Sequence, residues 1–167
     1  MSPVSVEIRD KGLERIAKEA QTFRRSYVKV GFPEGGKASG KDTKSFDEVV
    51  QIAAVHEFGA PKANIPERSF LRAAYDRDQA KIRELFDSEY LAILDGRTTA
   101  RRALTKIGAW FQARVRAYIV ALKSPPLAPA TEARKARLGR GGGGVPTPLV
   151  DTGQMVDSVQ FAVVING

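Results

Sequence analysis

The sequence predicts an α+β fold in which a small antiparallel sheet packs against a long antiparallel helical hairpin, with two long flexible loops. Three observations predict it. Short segments of strand-like alternation stand near both ends of the chain, two long stretches of helical apolar periodicity are joined by only a few residues, and two segments rich in Gly, Pro and basic residues interrupt the pattern. The length of 167 residues fits a single domain, 1–167. A chain of this size buries roughly 68–70% of its unfolded surface, enough for a proper core.

Val4-Ser5-Val6-Glu7-Ile8 alternates apolar and polar residues as a half-buried strand does, and Asp10 is placed to cap a helix carrying Leu13, Ile16, Ala17 and Ala20. Tyr27-Val28-Lys29-Val30-Gly31-Phe32 reads as a second strand. Residues 33–44 hold glycines and a proline but no large apolar side chain, which predicts a mobile loop. Ser45-Phe46-Asp47-Glu48 is a capping-box sequence ahead of Val49, Ile52 and Ala53 at helical spacing. Gly59, followed by Pro61, stops that helix.

Pro66 predicts the next helix start. Leu71, Ala74, Asp78, Ile82, Leu85, Phe86 and Ile93 then recur at helical spacing up to Asp95-Gly96. Thr98 is placed to cap a further helix whose stripe of Leu104, Ile107, Phe111, Val115, Tyr118, Ile119 and Leu122 is the strongest periodic signal in the chain. So short a connection makes the two helices an antiparallel hairpin. Trp110 and Phe111 fit the core of that pair.

The segment 124–147 runs from Pro125-Pro126 to a four-glycine stretch and carries Arg134, Lys135, Arg137 and Arg140. Its composition predicts an extended arm that is disordered when free and orders on a neighbour, with a short helix possible over Glu132–Leu138. The chain re-enters the fold at Leu149-Val150. Asp151 reads as an N-cap with Gln154 at N3, and Val150 and Met155 as a hydrophobic staple. Phe161-Ala162-Val163-Val164-Ile165 closes the chain as a strand, and no internal repeat is visible.

Composition restricts the chemistry. With no cysteine and one histidine, thiolate nucleophiles and Cys-based metal sites are excluded, and the usual triads and zinc sites have few residues to draw on. The start of the chain lacks a secretory signal pattern, and its longest apolar run, Ala117 to Leu122, is far short of the ~20 residues of a membrane span. No membrane partner is expected. The net charge of +8 raises contact with nucleic acid, but acidic residues are interleaved through much of the chain, so a solvated or partner-facing basic surface is the plainer reading.

Catalytic motifs are approximated but not met. Asp151-Thr152-Gly153 has the triplet of aspartic proteases, yet too few residues follow it for the rest of that fold, and Gln154 stands where a small residue belongs. Gly35, Gly40 and Lys41 have P-loop spacing, but Asp42 stands where a magnesium-binding hydroxyl is needed and would repel phosphates; Ile93-Leu94-Asp95 lies at a helix end rather than on a strand. Gly139, Gly141 and Gly144 match a dinucleotide fingerprint without its strand and helix, and His56-Glu57 lacks the second histidine of a zinc-protease helix. No catalytic residue, cofactor site or metal site is expected. For His56, a core or helix-terminal hydrogen-bonding role is the simpler expectation.

Three segments carry a different signal. His56-Glu57-Phe58-Gly59 ends one helix, Pro66, Arg68, Phe70, Leu71 and Arg72 open the long one, and Leu149, Asp151, Thr152, Gly153, Ser158 and Val159 precede the last strand. In order and spacing they resemble the neck and tail-completion proteins of tailed bacteriophages, the family that includes Mu-like virion morphogenesis and head–tail joining proteins. Met155 and Ser69 stand where that family commonly has Leu and Pro, and the glycine-rich arm is less typical. The resemblance implies a non-enzymatic structural protein that forms a homo-oligomeric ring, a hexamer or a twelve-fold ring, at the neck or upper tail of the virion.

On that resemblance the protein is made in the host cytoplasm, and its partners are adjoining connector, adaptor and tail proteins. Nonspecific contact with genomic DNA in the channel is a further expectation. The loops 33–44 and 124–147 would serve as arms, with Pro125, Pro126, Arg134, Lys135, Arg137 and Arg140 at the subunit interface. The alternatives are a basic nucleic-acid-binding module and a host-modulating or toxin-like small protein.

Overall fold

The computed structural model describes residues 11–38 and 44–166. The expected strand Val4–Ile8, its neighbour Asp10 and residues 39–43 of the first loop lie outside the described residues. The elements run α1 (Lys11–Arg25), β1 (Tyr27–Gly31), α2 (Phe46–Phe58), a 3₁₀ turn (Pro61–Ala63), α3 (Leu71–Leu94), α4 (Ala100–Ala121), α5 (Pro129–Arg137), α6 (Gln154–Asp157) and β2 (Gln160–Val164). The fold is α+β. Helices α3 and α4 pack together as the hairpin, and a two-stranded antiparallel sheet lies on α4.

The sheet pairs Tyr27 with Val164 and Gly31 with Gln160. It can approach α4 closely because Gly108 faces it: a Cβ built on Gly108 would stand 2.5 Å from the Phe161 ring and 2.9 Å from Val28. A mid-helix glycine costs about 1 kcal/mol of helix propensity. Here that cost makes room for the sheet.

Two apolar clusters form the core. One joins Phe70 and Ala74 to Val115 and Ile119 and to Leu149 and Val159 of the C-terminal segment; the other joins Ala20 and Phe23 to Ile93, Leu104 and Ile107. Helix α1 is present as expected, but Leu13 and Ala17 are exposed, and its buried side turns through Ala20 and Phe23. Phe111 packs against the first cluster.

Helix starts differ from the local capping rules in an instructive way. At α2 the capping box forms as expected, with the Glu48 amide donating to Ser45 Oγ and the Ser45 amide to Glu48 Oε2. For α4 the cap is Thr99 rather than Thr98, and Glu19 of α1 also accepts the Ala100 N–H at 2.7 Å. Helix α3 begins at Leu71, several residues after Pro66, because the carboxylate that caps it comes from α2.

The segment 124–147 was expected to be extended, and the short helix over Glu132–Leu138. Instead α5 spans Pro129–Arg137, with Pro129 at its first position, and the segment is tied back to the body. Asp151 does not cap α6. Gly153, at φ 89°, holds the cap position, Gln154 is the first residue of the helix, and the Asp151 carboxylate is turned toward the basic segment instead.

Candidate functional site

The end of α2 organises the site. Gly59 ends the helix at φ 73°, and a Cβ there would stand 2.9 Å from the Glu67 nitrogen, so both conformation and space require glycine. Two residues earlier, buried Glu57 accepts the backbone N–H groups of Phe70 at 2.7 Å, Leu71 at 2.9 Å and Arg72 at 3.1 Å, together with the Ser69 hydroxyl at 2.7 Å. These are the orphan donors of the first turn of α3, met by a carboxylate where the helix dipole favours negative charge. Burial by itself would raise the Glu57 pKa. The four donors outweigh it and hold the carboxyl below its usual range.

Arg68 lies between these two helices. Its backbone N–H donates to the His56 carbonyl at 2.8 Å, while Nε and Nη2 donate to the carbonyls of Pro125 and Pro126 at 2.9 and 2.7 Å. The buried guanidinium thus fixes the start of the basic segment. Lys135 fixes its middle: Nζ, on a residue 5% exposed, donates to the carbonyls of Thr147 at 2.9 Å and Val150 at 2.8 Å, with Asp151 Oδ1 at 3.9 Å. Arg140 closes the set on Asp151 Oδ2 at 2.9 Å.

These ties border a half-open cavity of about 580 Å³. Its walls come from α2 (Val49, Ile52, His56), from Asn64 to Arg68, from α5 with its approach, and from the segment Pro148–Met155. The three sequence motifs singled out above therefore reach one place: His56, Pro66, Arg68, Leu149, Asp151, Thr152 and Gly153 line the cavity. His56 Nδ1, Asp151 Oδ1 and Gln154 Oε1 are buried there without a hydrogen-bond partner among the described residues. Burial, and then the charges of Arg68 and Lys135, push the His56 pKa down, so its ring is neutral at neutral pH.

The remaining expected residues fall elsewhere. Phe70 is fully buried in the core, Leu71 is half-buried behind Glu57, and Arg72 is exposed in an ion pair with Glu67. Ser158 is fully buried at the end of α6, where its N–H donates to the Gln154 carbonyl. Phe58 points outward and is 71% exposed. Of the interface residues expected on the arm, Arg134 stands exposed at the cavity rim and Arg137 is exposed, whereas Lys135 is the buried clasp.

Sequence reasoning assigned Gln154 to a capping box and missed its actual use. Its Nε2 donates to the Lys44 carbonyl at 2.8 Å, which orients the amide and leaves Oε1 buried without a hydrogen-bond partner among the described residues. It also missed Gln112 and Arg116, whose side chains donate to the Val159 carbonyl at 2.7 and 2.8 Å and hold the last segment on α4. Such pairings span dozens of residues and leave no local pattern to read.

Comparison of the chain with protein-family models, with curated proteins and with solved structures found no match. Among the described residues, no His, Asp and Glu cluster could hold a metal ion, and no helix is long and apolar enough to cross a membrane.

Proposed function

We propose that this chain is a non-enzymatic structural component of a tailed-phage virion that assembles as a ring at the head–tail junction, in a neck, tail-completion or tail-terminator role. What supports the reading is how the resembling residues divide. Glu57, Gly59, Arg68 and Phe70 serve to build the fold, but Phe58, in the middle of the same segment, is 71% exposed beside Pro61 and Pro66. A large aromatic held outward on so rigid a turn is suited to a contact between subunits. A closed ring needs a surface of this kind meeting a different surface on the next subunit.

Sedimentation velocity tests assembly and electron microscopy tests the role. The wild-type chain is expected to form a closed oligomer, and Phe58→Ser, which leaves the core untouched, to remain a folded monomer. A lysate of phage lacking this product should contain separate filled heads and tails, or over-long tails if the role is termination. A chain monomeric at all concentrations, with normal infectious particles formed in its absence, overturns the proposal. Affinity for duplex DNA that falls steeply with salt in such a chain would favour the basic nucleic-acid-binding module.

A further inference from the structure

We infer that the half-open cavity bordered by α2, α5 and the segment Pro148–Met155 is a docking site for an acidic peptide segment of a partner protein. The inference deepens the assembly reading, and rests on it for the partner being a protein. The volume of about 580 Å³ lies within the roughly 300–1,000 Å³ of specific binding pockets. Its apolar floor, with Val49, Ile52, Leu149 and Met155, suits aliphatic side chains.

The polar groups select the chemistry. Gln154 is 4% exposed, its amide is oriented by the Lys44 carbonyl, and its Oε1 accepts no hydrogen bond among the described residues. Asp151 Oδ1, 3.9 Å from Lys135 Nζ, is likewise buried without a hydrogen bond. Both atoms are shut off from solvent and can only accept, so an occupant reaches them only as the side chains shift and must then donate. A buried acceptor left unmet costs about 1–3 kcal/mol, and a peptide N–H removes that cost.

Charge selects the side chains. Lys44, Arg68, Arg134 and Lys135 line the cavity, and Asp151 is the one carboxylate among the lining residues. Asp151 is itself engaged by Arg140. The field therefore favours an anion, with Arg134 exposed at the rim to receive it. A nucleic-acid strand fits this cavity less well, because no Phe, Tyr or Trp lines the walls to stack a base.

The test is fluorescence polarisation on the full chain with two labelled peptide pools. One is randomised over Glu, Asp, Leu and Ser, and the other has Gln and Asn in place of the acids. The acidic pool is expected to bind saturably and the neutral pool much more weakly. Arg134→Glu, at an exposed position, should weaken binding by about tenfold or more without changing the melting temperature. Gln154→Leu should weaken it as well, by removing the acceptor. Equal binding of both pools, no binding of either, unchanged affinity in Arg134→Glu, or displacement only by a single-stranded oligonucleotide would each overturn the inference. Ring formation is read separately by sedimentation, so a monomer that binds the acidic pool and a ring that ignores it are distinct results.

Discussion

Glu57 Oε2 accepts the backbone N–H of Phe70 at 2.7 Å, so the last turn of α2 caps the first turn of α3. The two helices are joined by a loop with a 3₁₀ turn and an isolated bridge between Ala60 and Ile65. The carboxylate closes that loop chemically. It holds the entry angle of the longest helix among the described residues and closes the loop whose stretch from Asn64 to Arg68 lines the cavity.

Removing the cap should cost more than an ordinary surface cap. Glu57→Ala strips three backbone donors and one hydroxyl of a charged acceptor at a buried site, and is expected to destabilise the fold by about 3 kcal/mol. Glu57→Gln keeps one acceptor oxygen and should cost about half as much. Urea unfolding of both variants measures this, and a loss under about 0.5 kcal/mol for Glu57→Ala would contradict the assigned role.

Gly108 should resist the substitution that helix propensity recommends. Alanine in a helix interior normally gains about 1 kcal/mol over glycine, but a Cβ here would meet the Phe161 ring at 2.5 Å and Val28 at 2.9 Å. Gly108→Ala is expected to destabilise by about 1–2 kcal/mol net. Adding Phe161→Leu should recover part of the loss, which a double-mutant cycle would read as a favourable coupling.

Arg68 and Lys135 are two of the basic ties that hold segment 124–147 on the body, and cutting either should loosen it. Lys135→Ala removes the donor to Thr147 and Val150, and Arg68→Ala frees the Pro125 and Pro126 carbonyls. Each should lower the local opening free energy by about 2 kcal/mol, a rise of about thirtyfold in the open population. Limited trypsin digestion at Arg134, Arg137 and Arg140 would report it. Cleavage of the wild-type chain as fast as of Lys135→Ala would indicate that the clasps do not hold in the free protein.

Acid should weaken the fold in two stages, both in the same direction. His56 has a folded pKa below its ordinary 6.5, from burial first and then from Arg68 and Lys135, so the unfolded chain takes up the proton earlier. Stability therefore falls as pH drops from about 6.5 through the lower folded value. Glu57 has a depressed pKa, because its donors outweigh burial. Asp78 is held far below the carboxylate range by Arg114 and Arg77. Their contributions are complete above the ordinary carboxylate values and are lost as pH falls through the folded ones. His56→Gln should flatten the first stage and leave the second, measured by urea midpoints across pH.

What the sequence determined was set by local rules. The strands near residues 27–32 and 161–165, the capping box at Ser45, the glycine stop at Gly59 and the paired long helices each follow from side-chain periodicity or from the backbone freedom of one residue, and such causes act within a turn or two. The convergence of His56, Arg68 and Asp151 on one cavity was decided only by tertiary structure, as were the capping of α3 by Glu57 and of α4 by Glu19, the burial of Lys135, and the use of Gly108 as a seat for the sheet. A carboxylate reads the same in sequence whether it is solvated or caps a helix across the fold. Which it does depends on desolvation and on donors brought close by the packing of distant segments.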